Sequence, residues 1–182
     1  MLAHLRRSVV LAVISLVLFG LIYPLAGTGL SQLFFKSQAS GSITAYGSPL
    51  IGQTWSSPKF FHGRPDGQKP YTLDNPLASG GTNLGPRSKV LVTDTQQLIA
   101  YWHKMGVNPT PDLVTTSGSG IDPDISPEDA YVQIPMVSKA TGISPQRLRQ
   151  LIDAHIQTAQ LGFLGSDFID VLQLNEALAQ LK

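Results

Sequence analysis

A chain of 182 residues, 42% of them hydrophobic, is long enough for one domain with its own core plus a small appendage. A net charge of +1 argues for neither a nucleic-acid partner nor an acidic substrate. The absence of cysteine excludes disulfides, thiolate metal sites and a cysteine nucleophile.

No residue from Ser8 to Phe35 is charged, and Val9 to Tyr23 is apolar almost throughout. Extended through Ala26, this run reaches the roughly 20 residues that cross about 30 Å of hydrocarbon. A secretory signal has a shorter apolar region with a small-x-small cleavage site close behind it. Ser37-Gln38-Ala39 lies too far away for that, and Pro24-Leu25-Ala26 matches poorly. A buried core helix needs a polar face, which this segment lacks. The reading is a retained single-pass helix over 8–28, a short N-terminus over 1–7, and a linker over 29–48. Arg6 and Arg7, with His4, precede the span, and Lys36 is the one cation close behind it. The positive-inside rule then places the N-terminus in the cytoplasm and residues 49–182 outside. Gly20, with Ala12 and Ser15, would let another helix approach closely.

Residues 49–92 are dense in Gly, Pro, Asn and Ser, which predicts turns and short extended pieces such as Pro58–His62 and Lys89–Val92. The capping-box spacing of Asp94 and Gln97 predicts a helix from Asp94 to Gly106, with Leu98, Trp102 and Met105 on one face. Ser126-Pro127-Glu128-Asp129 opens a second helix, which Pro135 should kink and Gly142 should stop. Ser144-Pro145 opens a third, with Ile143 placed to staple onto Leu148. Its stripe of Leu148, Leu151, Ile152 and Ile156 runs toward Gly162. Phe168–Leu172 reads as a strand, and Asn175 as the cap of a last helix to Leu181. Strands and turns followed by helices make an α+β domain.

Several constellations are candidates for chemistry. Phe60 to Pro65 is either an anion or carboxylate site built on His62 and Arg64, or an aromatic strand ending in a turn. Ser79, Gly80, Gly81, Thr82 and Asn83 form a glycine-rich nucleotide-binding candidate. Pro86, Arg87 and an expected strand follow them where a phosphate cradle wants a helix, and this favours a structural loop. Ser119 lies between glycines, but Ser117 takes the first position of GxSxG, and His62, His103 and His155 show no triad spacing. Asp122, Asp124 and Ser126 alternate as in a calcium loop, yet Pro127 stands at the glycine position. Glu128 and Asp129 read as the solvated first turn of a helix rather than an acid/base pair. No catalytic set and no metal site emerges.

The same segments, in order, resemble the C subunit of the Kdp potassium-transporting ATPase, the KdpC family of a bacterial P-type pump complex. The likeness runs from the span ending in Tyr23-Pro24 through Leu50-Ile51-Gly52-Gln53, Phe61-His62-Gly63-Arg64-Pro65 and Ala78-Ser79-Gly80-Gly81-Thr82-Asn83-Leu84. It continues through Asp112-Leu113-Val114-Thr115, Ser117-Gly118-Ser119-Gly120-Ile121-Asp122, Ile125-Ser126-Pro127, Gln133-Ile134-Pro135 and Val171-Leu172-Gln173-Leu174-Asn175. Asp66-Gly67, Asp124 and Met136 depart from the family pattern, Met136 standing where a basic residue is common. The resemblance implies a non-catalytic accessory subunit in a cell (inner) membrane. Its implied partners are a potassium-channel-like subunit, a P-type ATPase subunit and membrane lipid, with no nucleic acid. It implies a need for this subunit in assembly, and a chaperone effect that raises the ATP affinity of the ATPase subunit. ATP belongs to the complex, and no firmly bound cofactor is expected here. Partner-contact candidates are Gln53, Phe61, His62, Arg64, Ser119 and Asp122. The competing reading is a membrane-tethered exported hydrolase or binding protein built around Ser119 and the His62/Arg64 pair.

Overall fold

The computed structural model describes residues 1–65 and 79–181. Asp66-Gly67 and Ala78 therefore lie outside the described residues. The chain forms two compact units, Met1–Ile43 and Thr44–Lys182.

The first unit is one continuous helix over Leu2–Phe34, long and apolar enough to cross a membrane, followed by a short turn of helix. Its segments are α1 (Leu2–Val17), a π-turn (Leu18–Ile22) and α2 (Tyr23–Phe34); α3 (Lys36–Ala39) follows. Pro24 has no N–H to give to the carbonyl four residues back, and its ring crowds that turn. The wider π-turn just before it takes up the misfit, with the Tyr23 N–H reaching the Leu18 carbonyl. The helix thus continues past residue 28, where the sequence reading ends the span.

The second unit contains α4 (Lys89–Lys104), a 3-10 turn (Asp112–Val114), β1 (Asp124–Ile125), α5 (Pro127–Thr141), α6 (Pro145–Asp153), β2 (Ile169–Asp170) and α7 (Val171–Gln180). β1 and β2 pair antiparallel, Asp124 opposite Asp170 and Ile125 opposite Ile169. Helices plus this two-stranded sheet are consistent with the α+β expectation. The core gathers Phe61, Trp102, Leu113, Val137, Leu148, Ile152, Ile169, Leu174 and Leu178.

The openings of α5 and α6 are as expected. Ser126 accepts from the Asp129 N–H while Asp129 accepts from the Ser126 N–H, a reciprocal capping box, and Pro127 sits at the first helical position. Gly142 ends α5 in the left-handed conformation, and Ser144 caps α6. Asp129 is nevertheless no solvated acid. It is fully buried and also accepts from the Thr110 hydroxyl, because the capping box faces the core.

Five expectations are corrected. Lys89–Val92 is the first turn of α4 rather than a strand, because the Ser88 side chain accepts from the Leu91 N–H and starts the helix ahead of Asp94. Pro58–His62 is turn and irregular backbone, not strand. α6 ends at Asp153, so Ile156 lies beyond the helix and only Leu148, Leu151 and Ile152 carry its stripe. The strand expected over Phe168–Leu172 is confined to Ile169–Asp170, since Asp170 caps α7 by accepting from the Gln173 N–H. Asn175 is accordingly inside that helix, not at its start.

The position of the α4 cap is testable. Ser88→Ala should lower the stability of the full chain in detergent by about 1 kcal/mol, read by urea unfolding with Trp55 and Trp102 fluorescence. Asp94→Ala should change it by less than about 0.5 kcal/mol.

Candidate functional site

The segment Phe61 to Arg64 runs through the domain outside any helix or strand. Its backbone groups must still be satisfied once buried, and two helix side chains do this. Asn175 on α7 is 1% exposed; its Oδ1 accepts from the Phe61 N–H at 2.8 Å and its Nδ2 donates to the Phe61 carbonyl at 2.8 Å. Gln133 on α5 is 0% exposed; its Oε1 accepts from the His62 N–H at 2.7 Å and its Nε2 donates to the His62 carbonyl at 3.0 Å. Each carboxamide reproduces the paired bonds of an antiparallel sheet neighbour.

The clamp decides where the next side chains go. Phe61 is wholly buried in the core. The His62 ring tilts against Trp102 at 5.3 Å between centroids, and its Nε2 donates to the Ser57 carbonyl at 3.1 Å. Burial holds its pKa below the ordinary histidine value, against the Ser57 bond, so the ring is kept neutral. Trp102 in turn donates from Nε1 to the Leu113 carbonyl at 3.0 Å. A cavity of about 30 Å³ beside Gln53, Trp55, His62, Arg64 and Trp102 has room for roughly one water. The joint is closely packed around the His62 and Trp102 rings.

Arg64 reaches the loop that follows the 3-10 turn. Its guanidinium lies 3.6 Å from Asp112 and 3.5 Å from Asp122, and donates to the carbonyls of Thr115 and Thr116 at 3.4 Å. This fork across two carboxylates and two carbonyls suits arginine's planar geometry. Two other segments dock on the same loop. The Gly52 N–H donates to the Ile121 carbonyl at 2.7 Å, and a Cβ at Gly52 would lie 2.6 Å from the Asp122 carbonyl oxygen, so only glycine fits. The Gly80 N–H and the Ser79 hydroxyl both donate to the Ser119 carbonyl, at 2.7 and 3.1 Å.

The structure thus unites Gly52, Phe61, His62, Arg64, Ser79, Gly80, Ser119 and Asp122 in one network. Phe61 and His62 are buried in it, so neither is presented to a partner in this conformation. In the glycine-rich loop the Ser79 and Gly80 donors are occupied, Thr82 Oγ1 accepts from the Leu84 N–H, Gly81 lies close to the Gly118 carbonyl, and Asn83 is left-handed. A helix does follow this loop, at Lys89, where the sequence suggested a strand. The Ser119 hydroxyl contacts Ser117 Oγ at 3.2 Å and accepts from the Ile121 N–H at 3.2 Å; among the described residues no histidine bonds to it. Sequence reasoning missed Gln133 and Asn175 as the organising groups. Gln133 is the single amide of α5, but Asn175 is one of three amides in α7, and nothing local says which of them turns inward.

At the sheet, Asp124 faces Asp170 across the pair. Burial, then Asp122 and Asp170, raise the Asp124 carboxyl to about 6. Burial also raises that of Asp170, against its bonds to the start of α7.

Two outcomes follow. Gln133→Leu and Asn175→Leu should each cost about 3 kcal/mol or more, since each leaves a buried N–H and carbonyl unpaired, measured by urea unfolding of the full chain. For Asp124 the folded state favours the neutral acid, so its contribution is fully present below pH 3.8 and is lost as pH rises through about 6. Asp124→Asn should raise the unfolding midpoint at pH 7–8, with the gain over wild type shrinking toward pH 4.

The family model described as "K+-transporting ATPase, c chain" (KdpC) matches residues 5–180. A potassium-transporting ATPase KdpC subunit from Methylobacterium nodulans is 44% identical over 203 aligned residues, covering 100% of this chain and 98% of its own. The KdpC subunit of Allorhizobium ampelinum is 43% identical over 187 residues, covering 98% and 96% of the two chains. That of Caulobacter vibrioides is 44% identical over 188 residues, covering 98% and 93%. With the match spanning the apolar helix, the clamp and the docked loops alike, this chain belongs to the KdpC family, the c chains of K+-transporting ATPases.

Proposed function

We propose that this chain is a single-pass, non-catalytic accessory subunit of an ATP-driven potassium-uptake pump. It is held in the cell membrane by its N-terminal helix, with the residues beyond the linker on the extracytoplasmic side. The observation that carries the reading is the family match over 5–180, with relatives named as KdpC subunits over essentially full chains. The clamped network supports it from another direction: the residues that looked most chemical hold backbone in place. Arg6 and Arg7 ahead of the span support the orientation. The proposed partners are the P-type ATPase subunit and the potassium-channel-like subunit of the same pump, with lipid around the span.

A domain outside the membrane does not meet cytoplasmic ATP. The proposed role is therefore in assembly, with any rise in the ATP affinity of the ATPase subunit passed through helix packing in the membrane. Gly20, Ala12 and Ser15 offer a small-residue contact for that. The occupied donors of Ser79 and Gly80 fit an indirect effect better than direct nucleotide contact.

Deleting the gene should abolish growth on micromolar potassium, and the intact chain should restore it; normal high-affinity uptake in the deletion strain refutes the reading. Protease added to intact spheroplasts should digest the domain and spare an epitope before Arg6. A domain cut only in inverted vesicles would reverse the orientation.

A further inference from the structure

An open groove of about 370 Å³ is bounded by the end of α4, the last turns of α5 and the turn at Pro58. Pro58, Met105, Met136 and Ala140 make its lining apolar, and Lys104 and Lys139 stand on it with exposed side chains. Among the described residues that line it, none is acidic. Lys104 is the last residue of α4, and Lys139 lies in the last turn of α5. A cation in either place complements the negative end of a helix dipole. The dipoles do not explain why both cations flank one apolar groove. Nor do they explain Lys59, which is exposed, follows Pro58 and belongs to no helix. Among the described residues Lys59, Lys104 and Lys139 form no ion pair. Unpaired cations on an apolar groove call for a ligand that is anionic at one end and apolar at the other.

We propose that this groove binds an anionic phospholipid of the membrane that holds the chain. The phosphodiester lies against Lys104 and Lys139, and the glycerol and first methylenes lie along Met105, Met136 and Ala140. The inference rests on the membrane-anchored reading and adds a lipid contact made by the domain itself. Lipid is favoured over an acidic peptide on two grounds. The cations are lysines, point charges that serve a phosphate in any orientation, whereas planar recognition of a carboxylate draws on the arginine fork. The chain also carries its own membrane helix, and residues 35–43 alone join it to the domain, so lipid is present at high effective concentration whatever else is bound. The thioethers of Met105 and Met136 suit a flexible apolar ligand.

The test uses the full chain in nanodiscs of phosphatidylcholine, with or without phosphatidylglycerol. With Ala140 replaced by p-benzoyl-phenylalanine, irradiation should give a lipid adduct when phosphatidylglycerol is present. The yield should fall about tenfold when it is absent, or when Lys104→Gln and Lys139→Gln are combined. Arg87→Gln with Arg147→Gln removes two exposed cations elsewhere in the domain and should leave the adduct unchanged. Without the probe, native mass spectrometry of the full chain should show phosphatidylglycerol retained over phosphatidylcholine. The lysine double variant should lose that preference while keeping the wild-type unfolding midpoint. Equal adducts in the two lipids, an adduct undiminished in the lysine variant, or no lipid adduct overturns the proposal. In membranes that hold the whole pump, an adduct with a protein subunit in place of lipid overturns it too, in favour of an acidic segment. None of these outcomes touches the accessory-subunit reading, which growth on micromolar potassium decides. A chain that fails to insert into the nanodiscs overturns the membrane anchor and the lipid site together.

Discussion

The domain depends on two carboxamides that take the place of β-strands. A buried segment outside any helix normally lies in a sheet, because each of its N–H and carbonyl groups needs a partner. Here the only described sheet has two residues per strand and pairs other segments. Gln133 and Asn175 supply the missing ladder from two helices, one on each of two successive residues. An amide side chain carries an acceptor oxygen and an NH2 donor side by side, which is why these residue types serve and a carboxylate does not.

The consequences run outward from that clamp. With Phe61 and His62 held, Phe61 enters the core, His62 lies on Trp102, and Arg64 reaches across to Asp112, Asp122 and two carbonyls. The 112–122 loop so gripped then receives the backbone of Gly52 and Gly80. The motifs at 50–53, 61–65, 79–84, 112–122, 133–135 and 171–175 are far apart in the chain, yet all bear on one joint. Their polar groups are largely engaged with backbone, which leaves them poorly placed to act on a substrate and well placed to give the domain a single shape. A subunit whose work is contact with larger partners needs a defined surface of this kind.

Much of the local structure was legible. Ser126-Pro127 and Ser144-Pro145 announced two helices, because a hydroxyl N-cap followed by proline satisfies the first turn wherever it occurs. Gly142 and Gly106 take the left-handed conformation that ends helices. The α4 start is hidden from the sequence because Lys89-Val90-Leu91-Val92 has the β-branched character of a strand, while the Ser88 cap acts through one side-chain bond. Asp129 and Asn175 differ from the sequence expectation for a common reason: polarity alone suggests a solvated first turn or a cap, and only packing shows that both are buried. The site was legible as a set of segments but not as an arrangement. The pairing of residue 61 with 175 and of 62 with 133 spans 114 and 71 positions, and no local propensity encodes it.

The sequence by itself determined the apolar helix, the helix openings and stops, and the family, because each rests on local order along the chain: an uncharged run, a cap beside a proline, motifs in series. Only the tertiary structure decided that the His62/Arg64 segment is a clamped joint, that Asp129, Gln133 and Asn175 are buried, and that the serines and glycines grip each other. The physical reason is that burial and hydrogen-bond satisfaction belong to the folded neighbourhood. The same histidine or amide is a ligand or a brace according to what the rest of the chain packs against it.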